Sequence, residues 1–165
     1  MPTFDLLVRR IDSVFKRIFG DQNHPVPLID LLNAIFSTFN QPKIAHVHIQ
    51  NPTLEPDMVG DKTAILDIRA RTDDGRDLNI EMQVVNSGSF IHRTLYYWSE
   101  MYGENLHAGE DYDVLRQTIT INLLDFKLFD RKRMISLYQL KEHHDNAPLT
   151  DLMQVYFLEL PQAWP

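Results

Sequence analysis

The sequence ILDIRARTDDGRDLNIEMQV, residues 65–84, decides the fold of this chain, because apolar and polar residues alternate on both sides of a central turn. Alternation with a period of two is typical of β-strands that bury one face. The stretch is therefore predicted to form a β-hairpin with strands over 65–71 and 78–84. The even-numbered residues would form the buried face, and the odd-numbered residues would form a polar face: Asp67, Arg69, Arg71, Asn79, Glu81 and Gln83.

The turn determines which residues of the two strands face each other. A two-residue loop would send the two apolar sets to opposite faces, because a register shift of one residue reverses every side chain. A three-residue loop over 73–75, with Gly75 in the left-handed conformation, places Asp67 directly opposite Glu81. Only an odd-numbered loop, or a bulge, buries both apolar sets together, and the register of the three-residue loop is the one we predict.

Two carboxylates then lie close together on neighbouring strands. Their Cβ atoms would be about 4.5–5.5 Å apart, and the like charges would repel each other unless a cation lies between them. Oxygen ligands of this kind suit Mg²⁺ or Mn²⁺, which polarise phosphoryl oxygens and activate water. The alternative is a solvated face on which Arg69 and Arg71 neutralise Asp67 and Glu81.

The order of Asp67 on one strand and Glu81-Met82-Gln83 on the next resembles the PD-(D/E)XK nuclease signature in its Glu-x-Gln form. More specifically, nearly the whole chain resembles the recombination-promoting nuclease and transposase family, an Rpn-like branch of that superfamily. An isolated Asp and Glu-x-Gln would be weak evidence, whereas an ordered set of segments is specific. The segments that carry the resemblance are 12–21, 31–35, 65–67, 79–84, 93–99 and 121–126.

The resemblance implies a metal-dependent DNA endonuclease with a restriction-endonuclease-like αβββαβ core, a mixed β-sheet flanked by helices. It implies Asp67 and Glu81 as metal ligands, with the backbone carbonyl of Met82 as a further ligand. The implied cofactor is Mg²⁺, with Mn²⁺ as a substitute, and the implied substrate is DNA. Gln83 stands where the superfamily usually has a lysine, and an amide retains hydrogen bonding but carries no charge.

Three accessory residues are weighed against structural roles. Asp12 is expected to cap the first helix, and the alternative is an outer-sphere carboxylate for the metal, as first-helix acids provide in some PD-(D/E)XK nucleases. Arg93 and Tyr97 lie on the helix that follows the Glu-x-Gln strand, where they could turn toward a phosphate. Packing or solvent exposure is the alternative for both.

The rest of the chain predicts the element order αα, βββ, α, βββ, an α/β (α+β) fold. The first helix ends at Gly20, the second begins near Pro27 and ends before Asn40, and the third is long enough for a crossover between parallel strands. Further strands are predicted near 44–49, 119–123, 134–140 and 153–160. The predicted apolar stripe of the first helix is Ile11, Val14, Phe15, Ile18 and Phe19, and that of the third is Ile91, Leu95, Trp98, Met101, Tyr102 and Leu106.

Composition sets the remaining expectations. With 165 residues, 44% of them hydrophobic, the chain is expected to be one nuclease-like domain over 1–165 that lacks the C-terminal extension usual in the family. The absence of cysteine suits a reducing cytoplasm, and no apolar run approaches the roughly 20 residues that span a bilayer. A net charge of −7 disfavours broad nucleic-acid affinity without excluding a nuclease. Basic residues could still cluster locally at Arg9-Arg10, Lys16-Arg17, Arg69 and Arg71, or 131–133.

The expected function is therefore a Mg²⁺-dependent endodeoxyribonuclease of the cytoplasm that hydrolyses phosphodiester bonds and acts in DNA recombination. Its expected partner is DNA rather than a membrane, and a homodimer would suit cleavage of both strands. The alternative is a catalytically inactive, truncated member of the family that acts as a nucleic-acid or protein interaction module. The acidic composition and the short C-terminus motivate that alternative.

Overall fold

The structure, a computed structural model, describes residues 2–54 and 64–162, without the side chains of residues 2–5 and 64. Within these ranges it contains three α-helices, eight strands and two short 3₁₀ helices. The helices are α1 (Pro2–Phe19), α2 (Val26–Ser37) and α3 (Phe90–Gly103), and the 3₁₀ helices are Tyr112–Val114 and Leu160–Gln162. The strands are β1 (Val47–Gln50), β2 (Thr53–Leu54), β3 (Ala64–Ile65), β4 (Ile68–Thr72), β5 (Asp77–Gln83), β6 (Thr118–Leu124), β7 (Ile135–Gln139) and β8 (Met153–Glu159).

Six of the strands form one mixed sheet in the order β1-β4-β5-β6-β8-β7, and β2 pairs with β3 separately. Strands β1, β4 and β5 are antiparallel, β5, β6 and β8 are parallel, and β7 runs antiparallel to β8. Helix α3 connects the parallel neighbours β5 and β6, as such a crossover requires. The elements α2, β1, β4, β5, α3 and β6 follow the predicted αβββαβ order, so the predicted fold class is confirmed.

The predicted register of the central hairpin is confirmed. Ile68 pairs with Ile80, the N–H of Thr72 donates to the carbonyl of Arg76 at 3.0 Å, and Gly75 has a φ of +87°. This is the three-residue loop with a left-handed glycine. The apolar even-numbered face packs against α1 and α2, whose buried contributions are Phe15, Leu28, Leu32, Ile35 and Phe36.

The first strand of the hairpin is shorter than predicted. It begins at Ile68, whereas Ile65 pairs with Thr53 in the small β2-β3 sheet and a bend lies at Asp67. The N–H of Leu66 donates to the carbonyl of Pro52 at 2.9 Å, so this part of the chain is bonded away from β5. The bend separates Asp67 from the regular sheet just before β4.

Helix α1 differs from its prediction in two respects. It begins at Pro2, so Asp12 lies in the helix interior and the predicted N-cap is wrong. Val14 and Ile18 of the predicted stripe are exposed, and Phe15 is the side chain that α1 buries in the core. Helix α2 supplies four buried side chains to the same face of the sheet, which leaves α1 a narrower contact.

None of the helices in the described ranges has the length and apolar character that a bilayer crossing demands.

Most of the polar face of the hairpin is buried, although alternation is typical of strands that bury only one face. Helix α3 packs against this polar layer at β6. Gln83 at the end of β5 is half-buried, while six other polar side chains of β5 and β6 on this face are buried: Asp77, Asn79, Glu81, Thr118, Thr120 and Asn122. Hydrogen bonds bind the helix to this layer. Trp98 Nε1 donates to the carbonyl of Thr118 at 2.9 Å, and Thr94 Oγ1 donates to Asn122 Oδ1 at 3.3 Å.

The buried face of α3 is consequently rotated from the predicted apolar stripe. Phe90, Thr94 and Met101 are buried, while Ile91 and Leu95 are 42% and 45% exposed. The side of α3 that faces the sheet is the one whose Thr94 and Trp98 form hydrogen bonds with the buried polar layer. Ile91 and Leu95 instead line an apolar groove beside β7.

Candidate active site

Asp67 and Glu81 lie side by side where the hairpin leaves the regular sheet. The backbone N–H of Asp67 donates to Glu81 Oε1 at 3.2 Å, and the N–H of Met82 donates to Asp67 Oδ2 at 2.9 Å. The bend at Asp67 turns its N–H toward β5, which makes the first of these bonds possible. The side chain of Asp67 is 16% exposed and Glu81 is 6% exposed. The structure thus brings the two predicted carboxylates together in a largely buried place.

The ionisation of Glu81 is strongly perturbed. Burial, followed by the negative charge of Asp67, raises the pKa of Glu81 to about 8, although the N–H of Asp67 and the charge of Arg93 oppose the shift. Burial in low dielectric and a neighbouring like charge both favour the protonated carboxyl. Such a shift in a cavity marks a candidate functional site.

A lysine contacts the carboxylate pair from α1. Lys16 Nζ lies 3.0 Å from Asp67 Oδ1 and 3.2 Å from Asp12 Oδ1. Partial burial lowers the pKa of Lys16, but the hydrogen bonds and charges of Asp67 and Asp12 outweigh that effect and raise it. The sequence identified Lys16 only within a basic cluster. The available signal was the spacing of Asp12 and Lys16, one helical turn apart on the same face.

Gln83, Arg93 and Tyr97 form a second polar group beside the carboxylates. Arg93 donates a hydrogen bond to Gln83 Oε1, and Gln83 Nε2 donates to the carbonyl of Val85 at 2.9 Å. The guanidinium of Arg93 also lies 6.0 Å from the ring centre of Tyr97. Burial and the charge of Glu81 raise the pKa of Tyr97. Arg93 is therefore held by an amide and by the rings of Phe90 and Tyr97, and its charge acts on Glu81.

All of these side chains line one cavity of about 310 Å³. It brings together every candidate catalytic, metal-ligating or accessory residue that the sequence named, together with Lys16 and Arg9 of the basic clusters. The predicted residues at its wall are Asp12, Asp67, Glu81, Met82, Gln83, Arg93 and Tyr97.

The two arginines of β4 do not neutralise the carboxylate pair. Arg69 Nη2 lies 2.7 Å from Glu104 Oε2, and Arg71 forms two hydrogen bonds with Asp77, at 2.5 and 3.0 Å. Both guanidiniums are thus committed to other carboxylates. The solvated face neutralised by Arg69 and Arg71, which the sequence left open, is wrong, because the face is buried under α3 and these arginines have other partners.

The donor atoms of the cavity fit a hard divalent cation. In the ranges that the structure describes, no three Asp, Glu, His or Cys side chains are grouped as a complete metal cage. The cavity instead offers the paired carboxylates of Asp67 and Glu81. Mg²⁺ is commonly held in this way, by one or two carboxylates together with waters and substrate phosphates. The site is therefore compatible with Mg²⁺ or Mn²⁺.

Comparison with known proteins gives one match. Residues 9–164 match the sequence model of a family described as PD-(D/E)XK nuclease family transposase. No curated protein and no solved structure matches the chain. The matched range contains every residue that lines the cavity except Val8.

Proposed function

Because the chain belongs to the PD-(D/E)XK nuclease family of transposases, we propose that it is a Mg²⁺-dependent endonuclease that hydrolyses phosphodiester bonds in DNA. The observation that carries the proposal is the reciprocal pairing of Asp67 and Glu81 inside a cavity that also contains cationic side chains. The carboxylates provide a site for a cation, and the cationic groups provide a site for a phosphate. Mn²⁺ has the same ligand preference and can replace Mg²⁺.

In this proposal Asp67 and Glu81 hold the metal, and the backbone carbonyl of Met82 is a further ligand. When bound, the metal supplies positive charge that polarises a phosphoryl oxygen and makes an attacking water more acidic. The protein keeps the carboxylates oriented through the N–H groups of Asp67 and Met82. Glu81 has to release its proton to act as a ligand, because metals bind the ionised carboxylate.

The phosphate of the substrate would be bound by the group around Arg93. A guanidinium presents several donors to phosphate oxygens, and the aromatic ring of Tyr97 and the amide of Gln83 limit its movement. Gln83 acts in this proposal chiefly as a positioning residue for Arg93. Its Nε2 has a second hydrogen that is available to water or phosphate. Asp12 acts through Lys16 rather than directly on the metal.

The biological setting follows from the same chemistry. A chain with a net charge of −7 has little general affinity for nucleic acid, so binding would depend on the cationic groups of the cavity. We propose DNA as the substrate and a reducing cytoplasm as the location, since the chain has no cysteine. Cleavage of both strands would require two such sites, which a homodimer would supply.

A plasmid assay tests the proposal. Supercoiled DNA is incubated with the protein in Mg²⁺, in Mn²⁺ and in EDTA, with Asp67→Ala and Glu81→Ala in parallel. The matched control is Asp21→Ala, which removes an exposed carboxylate outside the cavity. We expect metal-dependent nicking or linearisation that persists in the control and is lost in both site variants. Equal cleavage by all variants would contradict the assignment, and an inactive protein that still binds metal would favour an interaction module.

A further inference from the structure

The candidate site has a cationic group on α1, the ammonium of Lys16. Gln83 is neutral, and its Oε1 is engaged by Arg93. Lys16 approaches the carboxylate pair from a different element, with Nζ 3.0 Å from Asp67 Oδ1. We propose that Lys16 is a catalytic residue that binds the scissile phosphate from α1 and provides the ammonium charge that Gln83 lacks. This inference rests on the proposed nuclease function and identifies a further residue of the same site.

The contacts of Lys16 leave it capable of binding a ligand. An ammonium has three hydrogen-bond donors, and two of them are accounted for by Asp67 and Asp12. The side chain is 41% exposed and lines the cavity, so the third donor has access to a molecule entering it. A phosphate that reaches the carboxylate pair would therefore meet the Lys16 ammonium at its edge.

The backbone around Lys16 is fixed by the last turns of α1. Phe15, the preceding residue, is buried in the main core. The N–H of Gly20 donates to the carbonyl of Lys16 at 2.8 Å, and a Cβ at this glycine would lie only 2.6 Å from that oxygen. Asp12 holds the ammonium from one turn earlier. These contacts hold the long, flexible side chain of Lys16 in one position. Less conformational entropy is then lost when its ammonium binds a phosphate.

The other cations near the cavity do not share the contact of Lys16 with Asp67. Arg93 is bound to Gln83, and Arg69 and Arg71 are paired with Glu104 and Asp77. Arg9 lies on α1 about two turns before Lys16, where it lines the cavity and is exposed. Lys16 is the ammonium that contacts Asp67, and a lysine acts on phosphate as a compact point charge.

DNA binding measured without cleavage tests the inference. A fluorescent duplex is titrated with the full chain in Ca²⁺ and several salt concentrations, and binding is followed by anisotropy. Lys16→Met is compared with Lys16→Arg and with Arg17→Met, which removes an exposed charge from the same helix outside the cavity. We expect Lys16→Met to weaken binding about tenfold and to reduce the log–log salt slope by about 0.9. Lys16→Arg should recover most of the affinity, and Arg17→Met should bind nearly as the unmodified chain does.

The outcomes separate the two proposals. Unchanged affinity and salt slope in Lys16→Met would overturn the role of Lys16, whether or not the protein cleaves DNA. If the unmodified chain binds DNA without cleaving it and Lys16→Met still loses affinity, the lysine contact stands and the nuclease proposal falls. If the unmodified chain binds no DNA, both fall. Circular dichroism and cooperative thermal unfolding in EDTA confirm that each variant is folded, and Lys16→Gln is the second neutral variant.

Discussion

Asp67 and Glu81 hold each other through the backbone. The N–H of Asp67 donates to Glu81 Oε1 at 3.2 Å, while Asp67 Oδ2 accepts from the N–H of Met82, the residue after Glu81, at 2.9 Å. Each carboxylate is therefore oriented by a backbone N–H of the segment that carries the other. A substitution at either position changes the environment of both, so the contributions of the two carboxylates to metal binding are expected to be coupled.

The raised pKa of Glu81 predicts an unusual pH dependence of stability in the metal-free protein. An exposed glutamate has a pKa near 4.5, and that of Glu81 is about 8 in the folded state. Between these values the unfolded chain releases a proton that the folded chain retains, so Glu81 makes stability fall as pH rises. We expect Glu81→Gln to gain stability relative to the unmodified chain from pH 5 to 8, by at most about 1.4 kcal/mol per pH unit.

Urea unfolding in EDTA at pH 5, 6.5, 8 and 9 measures this difference. Glu100→Gln, on α3, makes the same chemical change outside the cavity and corrects for the general loss of one negative charge. The difference between the Glu81 variant and the unmodified chain should level off above pH 8. A difference that stays constant from pH 5 to 9 would show that Glu81 ionises normally.

Metal binding is expected to offset the fall in stability that the ionisation of Glu81 causes as pH rises. A cation between Asp67 and Glu81 stabilises the folded state, by about 2.7 kcal/mol at a hundredfold excess over Kd. Because Glu81 must lose a proton, the affinity should increase from pH 6 to pH 8. Thermal unfolding with increasing Mg²⁺ or Mn²⁺ measures it. Asp67→Asn and Glu81→Gln should abolish the rise in Tm, and a rise that persists in both variants would place the metal elsewhere.

Much of the hairpin could be predicted because its determinants are local. Alternation defines the two strands, and one glycine with a φ of +87° sets a loop of three residues, which places the carboxylates together. The convergence of Arg93 and Tyr97 on the same cavity follows from their position on the helix after β5. These features depend on neighbours close in the sequence.

The features that could not be predicted depend on tertiary packing, which the apolar periodicity of the sequence does not reveal. Alternation distinguishes two faces of a strand but does not say whether a helix covers the polar one, so the burial of Asp77 and Asn79 under α3 was missed. The same packing rotates α3 so that Thr94 is buried in place of Leu95. The contact of Lys16 with Asp67 joins α1 to the hairpin, and only the folded arrangement of the two elements shows it.

The buried ion pair between Arg71 and Asp77 predicts a large loss of stability. Asp77 is fully buried, and Arg71 forms two hydrogen bonds with it. Arg71→Met would leave a buried carboxylate without its partner, and we expect a loss of about 3 kcal/mol in the free energy of unfolding. Denaturant unfolding at neutral pH measures this loss.

A double variant tests whether the unpaired charge of Asp77 causes the loss of stability in Arg71→Met. Arg71→Met/Asp77→Asn removes the stranded charge, and it should recover a substantial part of the lost stability. Asp21→Asn, which breaks an exposed pair with His24, is the control and should have a much smaller effect. If the double variant is less stable than Arg71→Met by the full effect of Asp77→Asn alone, the two residues are not energetically coupled.

Gln83 and Arg93 are expected to act as one unit in catalysis. Gln83 Oε1 accepts a hydrogen bond from Arg93, so loss of either should displace the guanidinium that we propose binds phosphate. Each of Gln83→Met and Arg93→Met should lower kcat/KM for cleavage of a DNA oligonucleotide, by roughly tenfold to a thousandfold. The double variant should be no slower than Arg93→Met, because Gln83 then has nothing to position. Arg116→Met, at a separate cavity, is the control. Losses that multiply in the double variant would instead mean that Gln83 contacts water or phosphate independently of Arg93.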